Sequence, residues 1–246
     1  MLVVENVSRR FGGLLAVNAA SLTAPAARIT ALIGPNGAGK TTLFAVISGF
    51  LKPSAGRVRY AGEDVTGEPP HLLARRGIAR TFQIVQPFAG LTVRDNILVG
   101  AHLRHRARPA ALAVAEGIGR EVGLGDVLDR PAHTLTVAGR KRLELARVLA
   151  TAPKLLLLDE VLAGLNPSEI RDFVPVIRAF CARGIAIVMI EHVMQAVMSL
   201  AAHVYVLAEG RVIAEGTPGQ VAADPAVVEA YLGRGAAAQL RSAHGH

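Results

Sequence analysis

A glycine-rich stretch that ends in lysine and threonine is the clearest candidate for chemistry in this sequence. Residues 34–41 read Gly-Pro-Asn-Gly-Ala-Gly-Lys-Thr, the G-x-x-x-x-G-K-T spacing of a phosphate-binding P-loop. Glycines let backbone N–H groups approach phosphate oxygens closely, and a lysine and a threonine hydroxyl suit the terminal phosphates and Mg²⁺. The alternative is a glycine-rich turn with an incidental lysine, but lysine recurs only at positions 52, 141 and 154. The stretch therefore predicts binding of a nucleoside triphosphate.

The positions expected to contact the nucleotide phosphates all lie in this loop and the start of the helix that follows it. They are Asn36, Gly37, Ala38, Gly39, Lys40, Thr41 and Thr42. Thr41 is also a predicted Mg²⁺ ligand.

Two adjacent carboxylates form the second candidate feature. Four leucines at 155–158 predict a buried strand, and Asp159 and Glu160 follow directly. Downstream of a P-loop this is the Walker B pattern, in which Asp159 holds Mg²⁺ and Glu160 activates the attacking water. The alternative, a strand end with two solvated acids, is weakened by the P-loop upstream.

Two further polar residues gain meaning only beside these motifs. His192 follows the apolar run 185–190 and is expected at the same edge of the sheet, where it could sense a terminal phosphate. Gln83 falls where strand signals give way to helical ones, and its amide could ligate Mg²⁺. Taken alone, each is an ordinary polar residue.

The elements that must position these side chains alternate between strands and helices. The predicted strands are 2–7, 14–22, 29–33, 57–60, 154–159, 185–190, 203–207 and 211–215, and the predicted helices are 39–48, 70–76, 93–100, 110–123, 139–150, 168–183 and short pieces within 221–232.

This alternation predicts an α/β fold with a mixed, mainly parallel sheet and an antiparallel β region at the N-terminus. Residues 84–150 lack strand signals, so a helical subdomain is expected there, within one domain spanning 1–233 whose core is formed by 1–83 and 151–233. The alanine- and glycine-rich residues 234–246 are expected to form a flexible tail.

Composition limits the classes of partner. Half of the chain is apolar (51%), and a lone cysteine, Cys181, excludes a disulfide framework and suits a reducing compartment. No signal peptide or membrane-spanning stretch is found, so we expect a cytoplasmic protein. The net charge of +8 suits nucleotide, anionic lipid or nucleic acid, but aromatics at 4% and the absence of tryptophan argue against nucleic acid. The basic run 102–108 is expected to be a solvated loop, with lipid head groups as the alternative.

In their order along the chain, these pieces resemble the ATP-binding cassette (ABC) ATPases over residues 2–232. The P-loop, Gln83, the strand ending in Asp159 and Glu160, and His192 match that family's Walker A, Q-loop, Walker B and switch histidine. The resemblance implies adenine contacts at Phe11 and Val17. It also implies a D-loop across a dimer interface, at Gly164, Leu165 and Asn166.

Finer features resemble the ATPases of branched-chain, or hydrophobic, amino acid importers. The stretches that carry this likeness are 80–83 (Arg-Thr-Phe-Gln), 91–96, 164–167, 190–192 and the C-terminal run 214–233.

The sequence departs from the family at the signature motif, usually L-S-G-G-Q. Residues 135–139 read Leu-Thr-Val-Ala-Gly before an arginine-rich helix. The resemblance implies that Thr136, Val137, Ala138 and Gly139 complete the ATP site of a partner subunit, and the side chains of Val137 and Ala138 replace glycines there. Val161 and Val193 replace a proline and an aspartate, from which we expect small effects.

The resemblance implies an ATPase at the cytoplasmic face of the membrane that uses ATP and Mg²⁺. Its implied partners are two permease subunits, an external substrate-binding protein and a second ATPase subunit, either non-identical or a second copy. Two alternatives stay open: a soluble ABC-type ATPase acting on ribosomes or DNA, and a low-turnover regulatory cassette.

Overall fold

The computed structural model describes residues 1–83 and 86–232. Its strands are β1 (Leu2–Phe11), β2 (Leu14–Ala24), β3 (Ile29–Ile33), β4 (Ala55–Tyr60), β5 (Glu63–Asp64), β6 (Ile78–Arg80), β7 (Leu155–Asp159), β8 (Ala186–Ile190), β9 (His203–Ala208) and β10 (Arg211–Gly216). Its α-helices are α1 (Lys40–Ile47), α2 (Pro70–Arg76), α3 (Val93–Ala101), α4 (Arg108–Glu121), α5 (Val137–Leu149), α6 (Pro167–Ala182), α7 (Met194–Leu200), α8 (Pro218–Ala222) and α9 (Pro225–Leu232). The predicted tail, residues 234–246, lies outside the described residues.

Two sheets organise the chain. The larger has the order β10-β9-β3-β8-β7-β6, and all its neighbours are parallel except β10 and β9. The smaller has the antiparallel order β2-β1-β4-β5. The predicted α/β class, with a mainly parallel sheet and an N-terminal antiparallel region, is therefore confirmed.

The leucine strand explains why the larger sheet reads as unbroken apolar runs. Leu156 and Leu158 pack into a core shared with the helices, whereas Leu155 and Leu157 pack into the core between the two sheets. A strand covered on both faces needs apolar residues at every position, so alternation disappears. The same burial holds for every residue of β3 and β8.

The helical segment, residues 86–150, contains α3, α4, α5 and two short 3₁₀ turns at Gly125–Val127 and Ala132–Thr134. Its helices pack on one another and contribute to the larger core through residues such as Ile97, Leu143 and Leu145. The predicted boundaries of this subdomain, at 84 and 150, stay a prediction.

Some predicted boundaries were wrong. The helix predicted from Gly139 begins at Val137, because the hydroxyl of Thr136 accepts the Gly139 backbone N–H and caps the helix there. Pro175 lies inside α6 without ending it. The elements β5, β6 and α7 were not predicted. The two strands, of two and three residues, are too short to carry a periodic signal.

Within the described ranges, no helix combines the length and the apolar character that a membrane crossing requires.

Candidate functional site

Crowding by neighbouring backbone fixes the glycine-rich loop. β3 leads into Gly34, where a Cβ atom would lie 1.9 Å from the Leu207 carbonyl oxygen. At Gly39, where φ is +101°, a Cβ would lie 2.3 Å from the carbonyl oxygen of Ala16. Only glycine fits at either position, so the loop backbone has the close-packed path that phosphate binding by N–H groups requires.

Lys40 lies at the first position of α1, and its ammonium group faces the loop. Its Nζ donates to the carbonyl oxygens of Gly34, at 2.7 Å, and Pro35, at 2.9 Å. Burial lowers the pKa of Lys40, and the carboxylates of Glu160 and Asp159 oppose that shift. The N-cap, Gly39, has no side chain to satisfy the first N–H groups of the helix, which leaves them suited to an anion.

The carboxylate of Asp159 is buried, and only one of its two oxygens has a hydrogen-bond partner among the described residues. Its Oδ2 accepts from Arg80 Nη2 at 2.8 Å, whereas Oδ1 is buried without a hydrogen-bond partner among the described residues. A buried carboxylate oxygen without a partner is unfavourable unless a cation or a metal-bound water binds to it. The free position at Oδ1 is therefore suited to the predicted Mg²⁺. Thr41 lines the same cleft as Asp159.

Magnesium in such sites needs few protein ligands, because phosphate oxygens and water supply the rest. Across residues 1–83 and 86–232, no group of three or more His, Cys, Asp and Glu side chains is arranged to hold a metal by itself. The set of Thr41 and Asp159 therefore fits a nucleotide-associated Mg²⁺ better than a resident metal centre.

Glu160 is held at both carboxylate oxygens. Gln83 Nε2 donates to Oε2 at 2.7 Å, and His192 Nε2 lies 2.8 Å from Oε1. An ionised carboxylate can only accept hydrogen bonds, so the Nε2 atom of His192 must carry the proton that it donates to Glu160. The structure thus places His192 beside Glu160 at the edge where the sequence predicted both, and adds Gln83 to them. Gln83 also lines the cleft that contains Thr41 and Asp159, and its predicted role as a Mg²⁺ ligand stays a prediction.

Two clefts meet at Thr41. One, of 320 Å³, is lined by Phe11, Leu14, Ala16, residues 36–42, Glu160 and His192. The other, of 540 Å³, is lined by Thr41, Arg80, Phe82, Gln83, Gln86, Glu144, Arg147 and Asp159. Together they gather most of the residues predicted to contact ATP and Mg²⁺.

Of the two residues predicted to contact adenine, Phe11 lies at the cleft and Val17 has its side chain in the core. Phe11 is 42% exposed at the mouth of the smaller cleft, and the Arg9 guanidinium lies 4.6 Å from its ring centre. Val17 is fully buried in the core between the sheets, so its side chain does not line the cleft. Its neighbour Ala16 and, two residues earlier, Leu14 line the cleft instead.

The signature and D-loop residues line neither cleft. Thr136 caps α5, and Val137, which is 52% exposed, begins its first turn. Asn166 caps α6, since its Oδ1 accepts from the N–H groups of Ser168 and Glu169. Both motifs are surface helix starts, as contact with a second subunit in trans would require.

Three charged residues of this region received no role from the sequence. Arg80 pairs with Asp159, Lys141 donates to backbone at the site, and Glu191 is 1% exposed with Oε1 accepting from the Leu162 N–H. For Lys141 a signal existed, because helical periodicity places it on the same face as the buried Leu145 and Leu149.

Comparisons with known proteins extend this geometry to a family. The ABC transporter family matches residues 17–163, and the family described as "Branched-chain amino acid ATP-binding cassette transporter" matches residues 211–237.

Individual relatives match nearly the whole chain. The high-affinity branched-chain amino acid transport ATP-binding protein BraF of Pseudomonas aeruginosa is 40% identical, with 95% of this chain and 98% of the relative covered. LivG of Escherichia coli K12, whose name is otherwise the same, is 39% identical over the same shares. The crystal structure of the ADP conformation of MJ1267, an ABC transporter cassette, superposes with a TM-score of 0.87 at 34% identity, covering 95% of this chain and 99% of that one. The chain therefore belongs to the ABC transporter ATP-binding family, among the branched-chain amino acid transport ATP-binding proteins.

Proposed function

We propose that this chain is the ATP-hydrolysing subunit of an importer for branched-chain or other hydrophobic amino acids. The observation that carries the proposal is the cleft in which the P-loop faces Glu160, with that carboxylate held by Gln83 and His192. Relatives of nearly the same length, named for branched-chain amino acid transport, support the choice of solute.

In this proposal the loop 34–41 and the start of α1 bind the phosphates, and Phe11 stacks on the adenine. Lys40 exchanges its bonds to the Gly34 and Pro35 carbonyls for phosphate oxygens, which is favourable because a buried ammonium gains from a nearby anion. Mg²⁺, held by Thr41 and Asp159, would neutralise phosphate charge.

Glu160 acts as the general base in hydrolysis. Its carboxylate accepts the proton of the attacking water, and Gln83 and His192 fix its orientation before nucleotide arrives. A fixed base avoids reorganisation during the reaction, which is the main physical advantage of such a site.

The exposed helix starts support an assembly with a second cassette. Thr136 accepts a hydrogen bond from Gly139, so its O–H proton is available to donate to a phosphate of a second cassette. We infer a pair of ATPase subunits, a second copy or a non-identical chain, bound to two permeases at the cytoplasmic face of the membrane. An external binding protein would deliver the amino acid.

Reconstitution tests the proposal. The chain is combined with the permease subunits and binding protein of a branched-chain amino acid importer from the same organism, and ATP hydrolysis is measured with and without leucine in proteoliposomes. We expect hydrolysis by the complex, stimulation by the loaded binding protein and accumulation of leucine in the vesicles.

Other results would point elsewhere. Hydrolysis that depends on DNA or ribosomes would contradict the transporter assignment. Nucleotide binding with no turnover in the full complex would favour a regulatory cassette.

A further inference from the structure

Lys141 is a buried charge that none of the motifs above explains. It lies on α5, is 8% exposed, and points from the helical segment towards the end of β7. Burial lowers the pKa of this ammonium group, and four carboxylates oppose part of that shift: Glu191, Glu160, Asp159 and Glu144. A lysine in such a position has a specific structural task.

That task is visible in its hydrogen bonds. Nζ donates to the carbonyl oxygen of Glu160 at 3.0 Å and reaches that of Gln83 at 3.4 Å. One ammonium group therefore joins the backbone of the two residues whose side chains also meet.

Glu160 needs this support, because its backbone is in the left-handed region with φ of 49°. That conformation is unfavourable for a residue with a side chain, and it persists only where surrounding contacts enforce it. The N–H donates to the Ile190 carbonyl at 3.0 Å, and Lys141 holds the carbonyl. The peptide groups on both sides of Glu160 are thus fixed, and with them the direction of its carboxylate.

Lys141 also lies close to the signature motif on the same helix. It is five residues after Thr136, roughly 7.5 Å along the helix axis. A shift of α5 caused by contact of its N-terminus with a second subunit therefore moves Lys141 relative to Glu160.

We propose that Lys141 is a positioning residue for ATP hydrolysis, which fixes the backbone of Glu160 and makes its alignment depend on the position of the signature helix. It touches no substrate, and it acts through Glu160 and Gln83. The inference rests on the general-base role proposed for Glu160.

The test compares Lys141→Met, Lys141→Arg and the surface control Lys52→Met in the full chain. Initial rates of phosphate release against ATP concentration give kcat and KM, and titration with a fluorescent ATP analogue gives Kd. For Lys141→Met we expect kcat to fall about tenfold or more while Kd stays within about twofold, since misalignment of a catalytic group affects turnover more than binding. Lys141→Arg keeps the charge and the N–H donors, and should recover most of the lost rate.

The outcomes separate a positioning role from a merely structural one. A kcat within about twofold of wild type for Lys141→Met, or a parallel loss of kcat and nucleotide affinity that Lys141→Arg does not restore, would overturn the inference. Glu160→Gln, measured beside them, isolates the premise. If that variant hydrolyses ATP normally, the role of Glu160 fails, whereas an inactive Glu160→Gln beside a normal Lys141→Met rejects only the role of Lys141.

Discussion

At the scale of single residues, Glu160 is the proposed general base, and its side chain is unusually well held. Its carboxylate is bonded at both oxygens, and the residues that bond it come from the ends of different strands, after β6 and after β8. Such convergence is expected where carboxyl ends of parallel strands meet at one edge of a sheet. Its hydrogen-bond partners lie outside the phosphate loop, so a substitution that keeps the size of the side chain tests its role most directly.

Replacement of Glu160 by glutamine tests that role. The new amide keeps the size of the side chain and can still bond Gln83 or His192, but it cannot accept a proton from water. We expect ATP binding within about twofold of wild type and a fall in kcat of about 10²-fold or more, with accumulation of an ATP-bound closed dimer. Phosphate release and size-exclusion chromatography with ATP are the measurements, and Glu229→Gln on the exposed face of α9 is the control. Turnover within a few-fold of wild type would contradict the assignment.

Substitution of Lys40 should weaken the binding of ATP, whereas substitution of Glu160 should slow its hydrolysis. Lys40→Ala removes the ammonium group that bonds the Gly34 and Pro35 carbonyls and that would contact the phosphates. Charge-assisted bonds to phosphate are worth about 1.5–3 kcal/mol, so ATP affinity should fall by about one to two orders of magnitude. Titration with a fluorescent nucleotide measures the change against Lys52→Ala. An unchanged affinity would count against the P-loop assignment.

At the scale of elements, two helices begin at residues that the resemblance assigns to subunit contact. In α6 the side chain of Asn166 accepts from Ser168 and Glu169, and Glu169 Oε2 accepts from the Asn166 N–H at 2.8 Å, a reciprocal capping box. The D-loop asparagine therefore has a structural function within its own chain. Any role at a dimer interface would come in addition to it.

The cap predicts a stability change that is independent of ATP chemistry. Asn166→Ala removes the two bonds accepted by Oδ1, and loss of an N-cap lowers the free energy of unfolding by about 1 kcal/mol, or about 2–4 °C in Tm for a domain of this size. Asn166→Asp, which also caps well, is the matched control and should stay close to wild type. Thermal unfolding without nucleotide measures both. Equal Tm values for Asn166→Ala and wild type would show that the cap is dispensable.

At the scale of the whole molecule, a group of charges is buried where β7, β8 and α5 come together. Glu191 lies at the centre of this group. It is 1% exposed, and burial raises the pKa of its carboxyl group from 4.5 to about 7. Its Oε1 accepts the Leu162 N–H and Lys141 offsets part of the burial, while Glu160 adds repulsion. This carboxyl group links the stability of the fold to pH.

The sign of that link follows from the direction of the shift. Because the folded chain binds this proton more tightly than the unfolded chain, the contribution of Glu191 to stability is greatest below about pH 4.5 and is lost as pH rises to about 7. Glu191→Gln should remove this loss, which is at most about 3 kcal/mol, and flatten the free energy of unfolding between these pH values. Urea unfolding at pH 5 and pH 8 measures the slope, with Glu229→Gln as the control. Equal slopes for Glu191→Gln and wild type would contradict the burial argument.

The amino-acid sequence was sufficient to predict the phosphate loop, the acidic pair and most of the strands and helices in their order. These features are local: a glycine at a crowded turn and an apolar run in a doubly covered strand each carry a signature within a few residues. The N-cap of α5, Thr136, was missed. The strands β5 and β6, of two and three residues, carry no such local signature. Strand β6 pairs with β7, which is distant in sequence, and β5 pairs with β4 in a single short hairpin.

How charges are shared at the site depends on the folded arrangement of the chain. Arg80 is 79 residues from Asp159, Lys141 is 19 residues from Glu160, and Gln83 is 77 residues from the same glutamate. The burial of the Val17 side chain was not apparent from the sequence for a related reason, since the elements that cover a strand face are distant in sequence. No local pattern specifies these pairs, because electrostatic contact depends on distance in space and burial, and both are set only when the sheets and helices pack together.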